Sequence, residues 1–247
     1  MFDQLAQMLT RLTAHGVARD AVGIVLCIGC GLGALLLGIA LRRAFKLPAW
    51  LCRRIIVIGV GAWIIMAFYW IRLWPAGWLP PAVFLYLNHW IRSRHKLRDL
   101  RRDGEDDAAD VLGHQWAPLI VQLFLWWQGD QFMAMAGILT VAVADSTAEI
   151  VGRRWGKNHF RFRGGRHKTF EGTLAMFISS FVLILLINTF FAKIPGVWFA
   201  AWCVVGALLA ALLATMVELV TPRRYEDYAV TLLPAFFMYY YTVAGFR

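Results

Sequence analysis

The sequence predicts an all-α, polytopic integral membrane protein, a helical bundle of about eight transmembrane helices. Of its 247 residues, 60% are apolar and only 16% are charged, and the mean hydropathy is +0.59. A soluble domain is usually nearer half apolar. The apolar residues come in long blocks, and most of the positive charge lies in the short loops between them. These observations indicate a multi-pass membrane protein and exclude a soluble two-domain organisation.

Eight apolar segments approach the roughly 20 residues that a spanning helix needs. Five of them are long and uninterrupted: 21–41, 55–71, 131–151, 173–191 and 197–220. The other three are weaker candidates. Segment 76–91 carries a proline pair near its start, 116–128 is short and contains Pro118, and 229–244 is short but rich in aromatic residues.

The distribution of Lys and Arg predicts the orientation of these spans. If successive loops alternate sides, the loops 42–54, 92–115, 152–172 and 221–228 share one face and hold 20 of the 25 Lys and Arg. The opposite face carries both termini and only five: Arg11, Arg19, Arg72, Lys193 and Arg247. The positive-inside rule makes the basic face cytoplasmic and both termini external. The net charge of +10 therefore reflects topology and does not indicate nucleic-acid binding.

The first 20 residues are predicted to lie on the membrane rather than in it. Apolar residues recur along one helical face at Phe2, Leu5, Met8, Leu9 and Leu12, which is typical of an amphipathic interfacial helix. The first apolar block is long enough to stay in the bilayer, so we expect no cleaved signal peptide. We therefore expect residues 1–20 to form an N-terminal interfacial helix and 21–247 to form a single transmembrane domain.

Two charged or reactive features are predicted to carry no site. The loop 92–115 is basic in its first half, which can meet lipid phosphates, and acidic in its second half, which we interpret as a solvated loop rather than a metal site. The four cysteines have no second CxxC pair with which to build a zinc site. They are interpreted as reduced packing residues: Cys27, Cys30, Cys52 and Cys203.

The stretch VADSTAEIVGRRWGKNHF places Asp145 and Glu149 at the end of the apolar segment 131–151. An ionisable residue costs roughly 2.5–3.5 kcal/mol at the centre of a membrane and less towards an end, and it suggests function by default. A spacing of four puts both carboxylates on one face of a helix. They either pair with nearby arginines and water, or hold a metal ion.

The loop 152–172 follows at the same membrane face. Its glycines let the backbone approach a ligand closely, and backbone N–H groups with lysines make a phosphate cradle. Mg²⁺ usually takes one or two carboxylates plus substrate phosphates. The loop therefore predicts a nucleoside triphosphate–Mg²⁺ site with Asp145 and Glu149 as metal ligands, although Glu171 can instead cap the next helix. The nucleotide-binding candidates are Gly152, Arg153, Gly156, Lys157, Lys168, Thr169, Glu171 and Gly172.

The stretch D-S-T-A-E-I-V-G-R-R-W-G-K … K-T-F-E-G-T resembles a signature of the CTP-dependent polyprenol kinases, which include dolichol kinase and phytol kinase. The CDP-diacylglycerol synthases share this signature. The match covers about 28 residues, and its positions are Asp145, Ala148, Gly152, Arg153, Gly156, Lys168, Thr169, Glu171 and Gly172.

The C-terminal part of the sequence distinguishes between the polyprenol kinases and the CDP-diacylglycerol synthases. The second synthase signature, with Lys-Asp, His-Gly-Gly and Asp-Arg-x-Asp, does not occur in the sequence. The kinase ending is matched instead by Glu218, Asp227 and Pro234, although Tyr228 stands where the family has Asn. The early Arg-Lys-x-x-His of many of these kinases is not intact.

The resemblance implies a membrane lipid kinase that transfers the γ-phosphate of CTP to an isoprenoid alcohol, such as a polyprenol or phytol, at the cytoplasmic face. It implies Mg²⁺ on Asp145 with Glu149 or Glu218, and the triphosphate on Arg153, Lys157 and Lys168. Glu218 or Asp227 would accept the hydroxyl proton. Three alternatives stay open: a phosphatidate cytidylyltransferase, a CTP-dependent diacylglycerol kinase, and a non-enzymatic lipid transporter. The sequence shows no nucleobase-reading residue and does not define the oligomeric state.

Overall fold

A computed structural model describes residues 14–93, 119–128, 131–161, 167–191 and 199–246. Within these ranges the chain forms α-helices, two π-helical segments and one β-hairpin. The elements before the central helix are α1 (Ala14–Phe45), α2 (Ala49–Gly61), α3 (Trp63–Trp70), α4 (Trp74–Gly77), α5 (Leu79–Ser93) and π1 (Gln122–Trp126). Those that follow are α6 (Gln131–Leu139), π2 (Thr140–Asp145), α7 (Ser146–Trp155), β1 (His159–Arg161), β2 (His167–Thr169), α8 (Phe170–Phe191), α9 (Phe199–Val220) and α10 (Arg223–Phe246).

The predicted class, a multi-pass helical membrane protein, is confirmed. Among the described residues, five helical stretches are long and apolar enough to cross a membrane: Gly16–Phe45, Ala49–Trp70, Gln131–Trp155, Phe170–Phe190 and Ala201–Val220. They coincide with the five long predicted segments. The three weaker segments overlap α5, π1 and α10, which are helical but are not among the five. A total of eight spans therefore stays a prediction.

The first helix continues through the predicted boundary at residues 20 and 21. Residues 14–20 belong to α1, whereas the rest of the predicted interfacial helix lies outside the described residues. Asp20 is buried and accepts hydrogen bonds from the backbone N–H groups of Arg72 (2.9 Å) and Leu73 (3.0 Å). Arg19 donates to the carbonyl of Tyr69 at 2.7 Å. This end of α1 is thereby tied to the turn that precedes α4.

The stretch Gln131–Trp155 is the most buried of the five membrane-length helices, and it forms the centre of the bundle. Every residue from Met133 to Ala142 is buried. Small residues allow its neighbours to pack closely, as is common in membrane helices. A Cβ added to Gly137 would lie 2.4 Å from the carbonyl oxygen of Thr231 in α10, and one added to Gly61 of α2 would lie 2.2 Å from the Cβ of Ala142. The middle of this helix is consequently packed closely against α2 and α10.

The predicted loop 152–172 is largely ordered secondary structure. Helix α7 continues to Trp155, and β1 and β2 pair antiparallel with Phe160 opposite Lys168. Helix α8 begins at Phe170, three residues earlier than predicted. The hairpin is an addition to the helical bundle that the sequence did not predict.

Candidate active site

Asp145 is positioned by a local change in helix type. It is the last residue of π2, between the α-helical segments α6 and α7. Single π turns inside α-helices are rare and occur frequently at functional sites. The hydroxyl of Thr140 donates to the carbonyl of Ala136, and that of Thr147 donates to the carbonyl of Val143, both at 2.7 Å. Asp145 ends this wider turn, and it is buried in the protein interior.

One buried guanidinium contacts both predicted acids. Nη1 of Arg54, which comes from α2, donates to Oδ2 of Asp145 at 2.7 Å. Nε and Nη2 of the same group contact Oε2 of Glu149. The two carboxylates therefore share one helix face, as their spacing predicts. They are also joined to the second long helix of the bundle through a cation that sequence reasoning did not single out.

Glu149 lies among three arginines. Besides Arg54, it contacts Nη2 of Arg153 at 2.7 Å and Nη2 of Arg53 at 3.6 Å. For Glu149, the structure therefore agrees with the first of the two predicted alternatives, ion pairing with nearby arginines. The proposed metal role of Glu149 stays a prediction, since this carboxylate faces arginines rather than other acids.

A second cluster of carboxylates forms around Asp145. One oxygen from each of Asp145, Glu218 and Glu226 lies within 4.8 Å of the others, and all three residues are buried. Glu218 comes from the last turn of α9 and Glu226 from the first turn of α10. The turn between these helices therefore brings two acids to the polar end of the central helix.

Lys168 of β2 enters this cluster from the hairpin. Its Nζ donates to the carbonyl of Glu218 at 2.7 Å and to Oε1 of Glu226 at 2.9 Å, and it also contacts Oε1 of Glu218. Oε2 of Glu218 is buried and has no hydrogen-bond partner among the described residues. We call Asp145, Glu218, Glu226 and Lys168 the carboxylate–lysine cluster.

The carboxylate–lysine cluster fits a divalent cation. Carboxylate oxygens are the ligands that Mg²⁺ takes from proteins. A buried acceptor left without a partner costs about 1–3 kcal/mol, and more when it is charged. The unpartnered Oε2 of Glu218 therefore indicates a place for a cation or a donor that the protein itself does not supply.

The predicted glycines pack the hairpin and helices together. A Cβ added to Gly156 would lie 2.2 Å from the carbonyl oxygen of Gly152 and 2.5 Å from Cγ2 of Thr169. A Cβ on Gly152 or on Gly172 would lie 2.9 Å from Oγ1 of Thr169. That Oγ1 also accepts a hydrogen bond from the N–H of Gly172 at 3.2 Å. Thr169 is therefore the capping residue of α8 and the contact point of all three glycines.

Glu171 connects the start of the hairpin to α8. Its carboxylate accepts hydrogen bonds from the backbone N–H of Asn158 at 3.2 Å and from Nδ2 of Asn158 at 3.1 Å. The N–H of Phe170 donates to the carbonyl of Asn158 at 2.9 Å. Glu171 thus holds the segment after α7 against the beginning of the next span.

Three cations of the predicted loop 152–172 lie at the surface of this end: Arg153, Arg154 and Lys157. The guanidinium of Arg153 lies over the ring of Trp50 at 5.1 Å, and that of Arg154 lies over Trp155 at 5.2 Å. Arg153 and Lys157 are exposed. Arg154 is exposed as well, and a bound anion can reach all three without entering the protein interior.

The structure adds two residues that sequence reasoning missed. Arg54 was assigned to the loop 42–54, yet it lies inside α2 and is buried. A cation next to an apolar run that forms part of the same helix is the sequence feature that indicates such a buried charge. The family pattern predicts Asp227, whereas the structure places its neighbour Glu226 in the cluster. Asp227 lies in α10, but its side chain is outside the described residues.

Three of the four predicted basic loops meet at this site. Arg54 comes from the loop 42–54, Lys168 from 152–172 and Glu226 from 221–228. Arg54 pairs with Asp145 of the central helix and Lys168 pairs with Glu226, and carboxylate oxygens of these two acids lie within 4.8 Å of each other. The described residues therefore agree with the predicted sharing of one face. Most of the fourth loop, 92–115, lies outside the described residues.

The fold and the site define a multi-pass helical membrane protein with buried carboxylates and cations at its basic end. In sequence, the chain is 27% identical to a phytol kinase of Synechocystis sp. over 68% of this chain and 74% of that protein. It is 30% identical to the probable chloroplastic phytol kinase 2 of Glycine max over 54% and 48% of the two chains. A dolichol kinase of Saccharomyces cerevisiae is 37% identical over 22% of this chain and 10% of that protein.

These relatives, which are named phytol kinase and dolichol kinase, confirm the predicted resemblance to the polyprenol kinase family. The matched region is about three quarters of the Synechocystis protein but less than half of the Glycine max protein. No family model matches the chain, and no solved structure matches it.

Proposed function

We propose that the protein is a lipid kinase that transfers the γ-phosphate of CTP to an isoprenoid alcohol and requires Mg²⁺. The observation that carries the proposal is the convergence of three buried carboxylates and Lys168 at the basic end of the bundle. Similarity to proteins named phytol kinase and dolichol kinase supports an alcohol as the phosphate acceptor.

The carboxylate–lysine cluster is the proposed metal site, with Asp145, Glu218 and Glu226 as ligands. A bound Mg²⁺ would neutralise charge on the triphosphate. Phosphoryl transfer depends on positioning and charge neutralisation more than on covalent chemistry. The exposed Arg153 and Lys157 supply further positive charge for the phosphates. The elements that carry these side chains, α7, the hairpin and α8, are packed together through Gly152, Gly156, Thr169 and Gly172.

The acceptor alcohol is proposed to approach from the membrane. Its isoprenoid tail would lie among the spans and its hydroxyl would lie at the interface. Glu218 is proposed to accept the hydroxyl proton on whichever of its two carboxylate oxygens does not hold the metal. Asp227, one residue beyond Glu226, is the second candidate for this role.

The site is proposed to face the cytoplasm, where nucleoside triphosphates are available, in a bacterial inner membrane or its equivalent. The excess of Lys and Arg at this end supports that orientation. Both termini would then be external, as the alternation of eight spans requires.

A transfer assay separates this function from its competitors. Purified protein is incubated with Mg²⁺ and either γ- or α-labelled CTP, with γ-labelled ATP in parallel. The acceptors are prenols, diacylglycerol and phosphatidate. We expect γ-label to move to a prenol. Label reaching only diacylglycerol would indicate a diacylglycerol kinase, and α-label entering lipid would indicate a cytidylyltransferase. No transfer to any acceptor would contradict an enzymatic role and favour a lipid transporter.

A further inference from the structure

Lys168 is the cation at the centre of the acidic cluster. An ammonium has three N–H donors, and Nζ of Lys168 has three acceptors within the protein: Oε1 of Glu218, the carbonyl of Glu218 and Oε1 of Glu226. Its side chain is only 12% exposed. In this conformation Lys168 has no donor left for a phosphate. It therefore cannot bind a triphosphate unless it first leaves these acids.

The acids also require Lys168 when no metal is bound. Three buried carboxylates within 4.8 Å of one another repel, and an uncompensated buried charge is strongly destabilising. Arg54 compensates Asp145 but is shared with Glu149. Among the described residues, Glu218 has Lys168 as its ion-pair partner, and Lys168 also pairs with Glu226.

We propose that Lys168 is an exchangeable counter-ion: its ammonium substitutes for the divalent cation in the metal-free protein and moves to the nucleotide phosphates when the metal arrives. The inference rests on the proposed function, because it assumes that the cluster receives a metal together with a triphosphate. A divalent cation among the same carboxylates repels the ammonium and replaces its compensating charge. The Nζ donors released in this way become available to phosphate oxygens.

This exchange couples metal binding to nucleotide binding. A metal ion alone must displace Lys168 into a site with no new acceptor, so its affinity is weakened. A metal ion that arrives with a triphosphate brings acceptors for the displaced ammonium. The coupling is reciprocal, so the metal strengthens nucleotide binding by the same factor.

The test measures Mn²⁺ binding to the purified protein in the absence of nucleotide. Electron paramagnetic resonance detects free Mn²⁺, so the loss of that signal on adding protein gives the bound fraction. Lys168→Met removes the charge and keeps a long side chain. We expect this variant to bind Mn²⁺ at least about tenfold more tightly than the wild type, because the competing buried cation is gone. Lys168→Arg keeps the charge and should bind as weakly as the wild type. Equal or weaker binding by Lys168→Met would overturn the proposal.

Two further measurements keep the result interpretable. Glu226→Gln in the Lys168→Met background should remove the gain in Mn²⁺ affinity, which places the gain at this cluster. In metal-free buffer, Lys168→Met should melt below the wild type, and Mn²⁺ should raise its Tm more than that of the wild type because ligand binding stabilises the folded state. A destabilised variant that Mn²⁺ does not rescue would also overturn the proposal.

The transfer assay distinguishes failure of this inference from failure of the proposed function. A gain in Mn²⁺ affinity without transfer to any acceptor would reject the kinase function and keep the exchangeable counter-ion. Transfer to a prenol by the wild type, without the gain in Lys168→Met, would reject the exchange and keep the kinase function.

Discussion

At the scale of single residues, Arg54 has the most demanding environment among the described cations. Its guanidinium is 5% exposed and contacts two carboxylates on the central helix. Burying such a group is costly unless its hydrogen bonds are made and its charge is compensated. Removing Arg54 therefore leaves two carboxylates without their shared partner, whereas removing one acid still leaves Arg54 the other.

We expect Arg54→Met to lower the free energy of unfolding by about 3–5 kcal/mol, because it leaves Asp145 and Glu149 without their shared partner. The measurement is the midpoint of thermal aggregation in detergent, followed by fluorescence-detected size-exclusion chromatography. Arg53→Met is the matched control. Its neighbouring guanidinium is 21% exposed and 3.6 Å from Glu149, so the expected cost is below about 1 kcal/mol. Equal losses in the two variants would contradict this assignment.

Asp145 and Glu149 are expected to differ in their role toward the metal. Asp145→Asn should abolish Mn²⁺ binding and lower transfer by at least about 100-fold, because electrostatic stabilisation of the developing charge is lost. The variant should still elute as a folded protein. Glu149→Gln should retain Mn²⁺ binding, because Glu149 faces arginines. If Glu149→Gln loses the metal and Asp145→Asn keeps it, the two roles have been assigned in reverse.

At the scale of secondary structure, the hairpin, α7 and α8 form one packed unit around Thr169. Gly156 has φ −64° and ψ 116°, a conformation that any residue can adopt, so its backbone does not require glycine. Glycine is required at this position because there is no space for a Cβ. The atoms that a Cβ would meet are a backbone carbonyl and a buried threonine, neither of which can move far.

We expect Gly156→Ala to destabilise the protein by about 1–3 kcal/mol, as overpacking of a tight interior does. It should also reduce transfer activity, because Lys168 is carried by the displaced strand. Gly33→Ala is the matched control, since a Cβ there has no neighbour within 4 Å. Alanine is favoured over glycine in a helix by about 1 kcal/mol, so that variant should be neutral or slightly more stable. Thermal midpoints of the two variants, measured in parallel, decide the outcome.

The elements differ in how well the sequence predicts them. The long apolar helices follow from hydropathy alone, so their existence and approximate ends were predictable. Helix α2 begins at Ala49 rather than 55, because Asp145 and Glu149 compensate Arg54 inside the bundle. The strands β1 and β2 have three residues each, which is too short for an alternating pattern to be recognised.

At the scale of the whole molecule, the described ion pairs join three basic loops at one end of the bundle. The start of α1 lies elsewhere. There, Arg19 and Asp20 form hydrogen bonds to the backbone of Tyr69 and Arg72, just before α4. The charge asymmetry predicts that the end with the three basic loops is cytoplasmic.

Reporter fusions test that orientation. We expect alkaline phosphatase fused after Arg247 to be active and green fluorescent protein at the same position to be dark, because the C-terminus is predicted to be external. The reverse pattern is expected for fusions truncated after Lys46, in the loop between α1 and α2. A fluorescent C-terminal fusion together with a cytoplasmic Lys46 would show that the number of spans between them is even rather than odd.

The sequence by itself determined the membrane class, the five long spans and a motif that contains Asp145 and Lys168, and it predicted a shared basic face. These properties depend on local composition and on spacing along the chain, which a sequence displays directly. Only the tertiary structure decided which charges meet. It brought Arg54 to Asp145 and Glu149 across 91 and 95 positions, and it brought Glu226 to Lys168 across 58. The pairing of buried charges depends on helix packing, because the cost of an uncompensated charge is met by whichever opposite charge the fold places beside it.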